Sequence, residues 1–190
     1  MKKDLQLSYL KAKKLNHQAN SERALVLRQQ YGLKMLELMQ KGSRIVNIDE
    51  TWLNETSFIR RAWGKRDGTG NTILHRVSPR ISMISALDNE GNVWYCLSHA
   101  NTDSFMMALF LHQLSEAMDA EKPGSSSSCV ILFDNAKYHS NEFTLDTIKA
   151  LGMRVIFSGP YSYSSSVCEM LFSGLKTSEI NPENLPTSKR

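Results

Sequence analysis

Cys129-Val130-Ile131-Leu132-Phe133-Asp134-Asn135-Ala136-Lys137-Tyr138-His139 is the stretch around which the rest of the chain arranges itself. Its first five residues are apolar without alternation, the pattern of a strand covered on both faces and therefore of a sheet lying between helices. The run stops at an aspartate. Downstream, a helix is predicted over 140–151, stopped by Gly152, and then a second apolar strand over 153–157. A loop, Ser158-Gly159-Pro160-Tyr161-Ser162-Tyr163, opens into a last helix near Ser166.

Upstream, Pro123-Gly124 and four serines read as a loop. Before it, Asn101 or Thr102 is expected to cap a helix reaching Ala120. Its Phe105, Met106, Leu109, Phe110, Leu114 and Ala117 cover most of the circumference, as in a buried crossover helix. Strands are expected at 57–63, 80–87 and 92–98, with Asn89-Glu90-Gly91-Asn92 turning between the last two. Arg44 to Ile48 reads as a short strand ending at Asp49. A helix before it runs from a cap at Ser21 to a stop at Gly42, with Leu27, Tyr31, Met35 and Leu38 on one side. Meandering strands followed by alternating strand and helix imply an α/β fold, a mixed sheet with helices on both faces preceded by an N-terminal helix.

Charge is unevenly spread. Residues 1–44 hold ten Lys/Arg against three Asp/Glu, whereas the remainder holds thirteen against sixteen. A basic lead-in beside a mildly acidic body suits a polyanion-binding arm next to a cation-binding core, or simply a solvated basic helix. The sequence contains no apolar run of membrane-spanning length, and the amino end lacks the apolar block of a secretory signal. Cys96, Cys129 and Cys168 are far apart and odd in number, which suits free thiols in a reducing compartment. No membrane association is expected, and the protein is not expected to be secreted.

Three acids carry the chemistry. Asp49 and Asp134 each close a strand, and Glu169 lies in the first turn of the last helix. Strand ends on one edge of an α/β sheet converge, and carboxylates brought together there repel unless a cation lies between them. Hard oxygen donors of this kind suit Mg²⁺ or Mn²⁺. Two such ions about 4 Å apart support in-line displacement at a phosphodiester. Each acid also has a plainer explanation: a turn at Asp49, an Asx turn at Asp134-Asn135, and a capping box formed by Ser166 with Glu169.

Asn47-Ile48-Asp49-Glu50-Thr51, Phe133 to His139, and Pro160-Tyr161-Ser162 through Glu169 resemble, in order, the three catalytic blocks of mariner-type DDE transposases. The 34 residues between Asp134 and Glu169 match the interval of one large branch of that family. The resemblance spans roughly 20–185 and implies a ribonuclease H-like catalytic core. In that reading Asp49, Asp134 and Glu169 hold Mg²⁺ or Mn²⁺, two ions in all, and Asn135 and His139 support them. A water activated there cuts DNA at a transposon end, and the freed 3′-hydroxyl attacks the target. Trp63-Gly64-Lys65 with Gly68 resembles a segment that contacts DNA or the partner subunit in relatives. It makes Arg60, Arg61, Trp63, Lys65 and Arg66 candidate DNA contacts of the positioning kind. The last block departs from the pattern, reading Ser164-Ser165-Ser166-Val167-Cys168 where relatives carry Leu-Asn-Pro before the acid.

The domains implied are a basic helical lead-in over 1–43, the remnant of a linker to a DNA-binding domain, the catalytic domain over 44–180, and a polar tail over 181–190. The partners implied are transposon-end and target DNA, with a homodimer as the working form. The location implied is the nucleus in a eukaryote and otherwise the cytoplasm. Two other readings remain: a truncated or co-opted, catalytically inactive remnant that binds DNA or a partner, and another nuclease of the same fold.

Overall fold

The computed structural model describes residues 17–53, 81–162 and 166–177. The expected strand at 57–63 and the group Arg60, Arg61, Trp63, Lys65 and Arg66 lie outside the described residues. After a short 3-10 turn at His17–Asn20 come α1 (Glu22–Gln40), β1 (Ile45–Leu53), β2 (Ile81–Asp88) and β3 (Val93–Ser98). Then follow α2 (Ser104–Glu121), β4 (Val130–Phe133), α3 (Glu142–Ala150), β5 (Arg154–Phe157) and α4 (Val167–Thr177).

The strands form one sheet in the order β3-β2-β1-β4-β5. β1, β2 and β3 pair antiparallel, while β4 joins β1, and β5 joins β4, in parallel. This is the mixed sheet expected from the sequence, with helices on both faces.

Alternation along β1 divides the core, because successive strand side chains point to opposite faces. Val46 and Ile48, with Ile131 and Phe133 of β4, meet Met107, Leu111, Leu114 and Met118 of α2 and Ile148 of α3. Ile131 and Phe133 are fully buried, worth roughly 2–3 kcal/mol each. On the other face Ile45, Val130 and Leu132 pack with Leu38, Tyr31 and Met35 of α1. α4 lies over β1 and β2. Leu27, expected on the same stripe of α1, is partly exposed, as is Leu109 of α2, and Phe105 is largely exposed. α2 thus buries one side only, rather than most of its circumference.

The helix ends follow local chemistry. Ser21 accepts from Ala24 N at 3.3 Å. At the other end of α1, Gly42 takes φ 63°, with Gly42 N bonded to Met39 O and Ser43 N to Leu38 O. Such a closure favours glycine. α2 is capped by Asp103, one or two residues later than expected, because its carboxylate accepts from Met106 N at 2.9 Å. α3 begins at Glu142 rather than 140, since Asn141 supplies the cap by accepting from Phe143 N at 2.9 Å. The four serines form a single helical turn, not an open loop; Asp119 accepts from both Ser126 N and Ser126 Oγ, fastening it to α2.

β1 runs to Leu53 and does not end at Asp49. Its antiparallel partner continues to the Leu53↔Ile81 pair, whereas the parallel pairing ends at Asn47↔Leu132. Asp49 is therefore at the limit of the parallel ladder but in the middle of the antiparallel one.

Asp88 locks the β2–β3 turn to the start of β1. Its buried carboxylate accepts from Asn92 N at 2.7 Å, Glu90 N at 3.0 Å and Asn92 Nδ2 at 2.9 Å, and pairs with Arg44 at 2.7 Å. Burial alone would raise the Asp88 pKa, but these donors outweigh it and hold the group below its ordinary value. Arg44 also stacks over Trp94 at 5.4 Å. Asp88→Ala leaves Arg44 largely buried without its main partner and should cost on the order of 3 kcal/mol in urea unfolding. A depressed carboxyl stabilises the fold above its unfolded pKa, and that contribution is lost as pH falls through the folded value. Wild-type stability should therefore decline below about pH 4, and Asp88→Ala should show less of that decline.

Candidate active site

β1 and β4 position the first two acids. Continuing the Asn47↔Leu132 register by two residues sets Asp49 beside Asp134, beyond the last parallel pair. The third, Glu169, sits in the first turn of α4 as expected. All three line one cavity of about 540 Å³, with Asn135 and Ser166. α1 contributes Leu27 and Tyr31 to the wall, and residues 158–162 form another side.

That loop is held closely. Ser158 N donates to Phe133 O at 2.7 Å, and Asn135 Nδ2 donates to Ser158 O at 2.8 Å. A Cβ on Gly159 would lie 2.9 Å from Arg28 Cγ and 3.0 Å from Arg28 Cα, so only glycine lets the loop approach α1 this closely. Tyr161 takes φ 59°, a conformation that costs a non-glycine residue and marks a loop constrained by its surroundings.

The two aspartates are shifted in opposite directions from the ordinary carboxyl value. Burial pushes the Asp49 carboxyl up to about 6, and the neighbouring charges of Glu50, Asp134 and Glu169 add to the rise. Asp134 is held below its ordinary value, chiefly by its hydrogen bond from His139. His139 Nδ1 lies 2.6 Å from Asp134 Oδ1, and Nε2 lies 2.8 Å from Glu50 Oε1. Burial would lower the imidazole pKa, but the two carboxylates outweigh it and raise the group to about 9. With a carboxylate oxygen within hydrogen-bond reach of each nitrogen, the protonated ring can donate from both.

The plainer explanations are partly realised. Asp134 Oδ1 accepts from Ala136 N at 2.9 Å, which is an Asx turn formed by the same oxygen that meets His139. Ser166 does not face back along its helix to close a capping box. Its hydroxyl lies 3.1 Å from Asn47 Oδ1 and 3.2 Å from Asp49 Oδ2. Asn135 and His139 do not cap α3, a role taken by Asn141.

Glu50, Tyr138 and Asn47 were not singled out from the sequence. Glu50 accepts from Tyr138 Oη at 2.7 Å as well as from His139. The available signal was alternation: a glutamate next to Asp49 on the strand must face the opposite, helix-covered side. Asn47 is buried and has both ends of its amide engaged. Nδ2 donates to Leu132 O at 3.2 Å, and Oδ1 accepts from Cys168 N at 3.2 Å and from Ser166. It fastens the start of α4, and hence Glu169, to the strand bearing Asp49.

By chemistry the donor set fits a hard divalent cation: carboxylate oxygens lining a cavity, with Asp49 strongly desolvated and, among the described residues, hydrogen-bonded to the Glu50 amide and the Ser166 hydroxyl rather than to a cation. Asp49, Asp134 and Glu169 are the residues that would hold it. Among the described residues no three His, Cys, Asp or Glu side chains close around a single point.

The family model described as DDE superfamily endonuclease matches residues 44–190. No curated protein matches the chain significantly. Among solved structures, the chain is similar to the Mos1 transposase paired-end complex with left transposon end, at TM-score 0.68 and 19% identity, covering 89% of this chain and 52% of that one. It is similar to the Mos1 mariner paired end complex with Mn at TM-score 0.66 and 19% identity, over 88% and 53%. It is also similar to the catalytic domain of Mos1 mariner transposase, at TM-score 0.61 and 17% identity, over 87% and 74%. The chain thus spans about half the length of the two complexed transposase chains. At these identities the likeness is one of fold, and it bears out the ribonuclease H-like sheet.

Asn47→Ala would strip the partner from Cys168 N and free the start of α4. We expect a loss of about 2–3 kcal/mol in urea unfolding, with faster amide exchange at Cys168 and Glu169 than in β4. Unchanged exchange at those two amides would contradict the anchoring role.

Proposed function

Because this chain belongs to the DDE superfamily endonucleases, we propose that it is the catalytic core of a mariner-type transposase, cutting DNA at transposon ends and joining those ends to a target. The observation that carries this reading is that Asp49, Asp134 and Glu169 line one cavity. The complexes of similar fold, one with a transposon end and one with Mn, support DNA as substrate and a divalent cation as cofactor.

Mg²⁺ or Mn²⁺, two ions in this reading, would supply charge neutralisation at the scissile phosphate and a reactive water at neutral pH. The chain's own residues prepare the place. Asp49 and Asp134 present oxygens from adjoining strand positions, and Glu169 adds a carboxylate from α4. His139 keeps Asp134 anionic and oriented. Asn135 ties the end of β4 to the 158–162 loop, which packs against α1 and lines the cavity with it. Such a site needs no covalent protein intermediate, and buried Cys129 and Cys168, with thiols raised to about 11 and about 12 by burial, are poor nucleophiles.

Arg60, Arg61, Trp63, Lys65 and Arg66 complete the proposal as DNA contacts. A homodimer on DNA, acting in the nucleus of a eukaryote or otherwise in the cytoplasm, belongs to the same reading. Against the inactive-remnant alternative stands the joint survival of the three acids and of the buried groups that hold Asp134.

Nicking of supercoiled plasmid in Mn²⁺ or Mg²⁺ tests the proposal. Asp49→Ala and Asp134→Ala should each lose several kcal/mol of transition-state stabilisation, roughly 10³-fold in rate. Asp49→Ala should stay near the wild-type unfolding midpoint, and Asp134→Ala should remain folded at a lower one, since buried His139 loses one of its two carboxylate partners. A folded wild-type protein that does not nick, or variants that nick as well as wild type, would favour the remnant.

A further inference from the structure

Glu50 occupies a position where a carboxylate is costly. Its side chain is 6% exposed, on the face of β1 that otherwise buries Val46 and Ile48 against α2. A buried ion loses several kcal/mol of hydration, and well-packed apolar side chains serve stability as well as a buried ion pair does. The glutamate therefore needs a reason beyond packing.

Its contacts supply one. Glu50 Oε1 meets His139 Nε2 at 2.8 Å, and Oε2 accepts from Tyr138 Oη at 2.7 Å. His139 is fully buried and stacked on Phe133, with ring centroids 4.2 Å apart. Held at both nitrogens and along one ring face, the imidazole has one orientation. Its Nδ1 meets Asp134 Oδ1 at 2.6 Å, and that oxygen also accepts from Ala136 N. Among the described residues both hydrogen bonds of this carboxylate fall on Oδ1, which leaves Oδ2 for a ligand in the cavity.

We propose that Glu50 is a positioning residue: from the core side of β1 it fixes His139, and through His139 it sets the Asp134 carboxylate with one oxygen reserved for a divalent cation. Partners one step behind a ligand orient it and tune its affinity, and removing them weakens metal binding about 10–100-fold. The inference rests on the metal-dependent reading given above.

The test is Mn²⁺ binding to the DNA-free protein by isothermal titration calorimetry, with metal-free thermal unfolding measured in parallel. Wild type, Asp134→Asn, Glu50→Ala, Glu50→Gln and Tyr138→Phe are compared well below each melting midpoint. Glu50→Ala should weaken Mn²⁺ binding about 10–100-fold. Glu50→Gln, whose amide oxygen still accepts from Nε2, should recover most of that loss. Tyr138→Phe, which removes one of the two groups holding Glu50, should show a smaller weakening; it decides the matter if Glu50→Ala does not fold. Lower melting midpoints with unchanged Mn²⁺ affinity in both Glu50→Ala and Tyr138→Phe would overturn the inference while leaving the metal site in place. No Mn²⁺ binding by wild type would overturn both the inference and the reading beneath it.

Discussion

The parallel pairing of β1 with β4 is the constraint on which the other features depend. It lasts only from Ile45↔Val130 to Asn47↔Leu132, yet it fixes which residues of β1 look into the cavity and which into the core. Strand side chains alternate, so a slip of one residue would turn Val46, Ile48 and Glu50 towards α1 and bury Asp49 beneath α2. Apolar packing on both faces forbids that slip. Val46, Ile48, Ile131 and Phe133 are enclosed by α2 and α3 on one side, while Ile45, Val130 and Leu132 are held by α1 on the other. The placement of the acids is thus inherited from a hydrophobic register, and the polar site did not have to build its own scaffold.

The acids then differ because the two strands end differently. β4 stops at Phe133 and the chain turns at once, bringing His139 back over Phe133 within reach of the Asp134 carboxylate. β1 continues to Leu53, so Asp49 has strand backbone on either side and, among the described residues, no cationic side chain among its hydrogen-bond partners. One carboxylate is consequently charged and oriented by the protein, while its neighbour is desolvated and crowded by like charge. A cation held between Asp49 and Asp134 would relieve the crowding of like charge at Asp49 and would meet an Asp134 carboxylate positioned by His139. Neither half of that preparation follows from the presence of an aspartate alone.

Much of the fold was legible. The unbroken apolar run before Asp134 identified a strand covered on both faces, and Ser21, Gly42 and Gly152 marked helix ends where the structure has them. The misplacements share one cause: ends are set by which neighbour supplies a partner. β1 outruns Asp49 because β2 is there to pair with it, and Asp103 takes the cap of α2 because its carboxylate reaches Met106 N. Four serines gave no sign of a helical turn, since Asp119, which pins it, lies in the preceding helix. Of the site, the three carboxylates and His139 were visible through the resemblance to mariner-type blocks. Glu50, Tyr138 and Asn47 were not, because their roles arise only when β1, α4 and the turn after β4 are brought together in space.

Asn47 also supplies a way of fixing the start of α4 in place of the Leu-Asn-Pro that the mariner-type pattern would set before Glu169. A proline turn presents a helix by stiffening the chain that leads into it. The same end can be reached by fastening the helix start directly, and here Asn47 Oδ1 accepts from Cys168 N while Cys168 Sγ lies against Asn47 O at 3.2 Å. Ser166 adds its hydroxyl between Asn47 and Asp49. The anchor lies two residues from Asp49 on the same strand, and the anchored amide immediately precedes Glu169. The backbone positions of the first and third acids are therefore referred to one rigid element, whereas the side chain of Glu169 stands exposed on α4 at the cavity's edge rather than buried with Cys168.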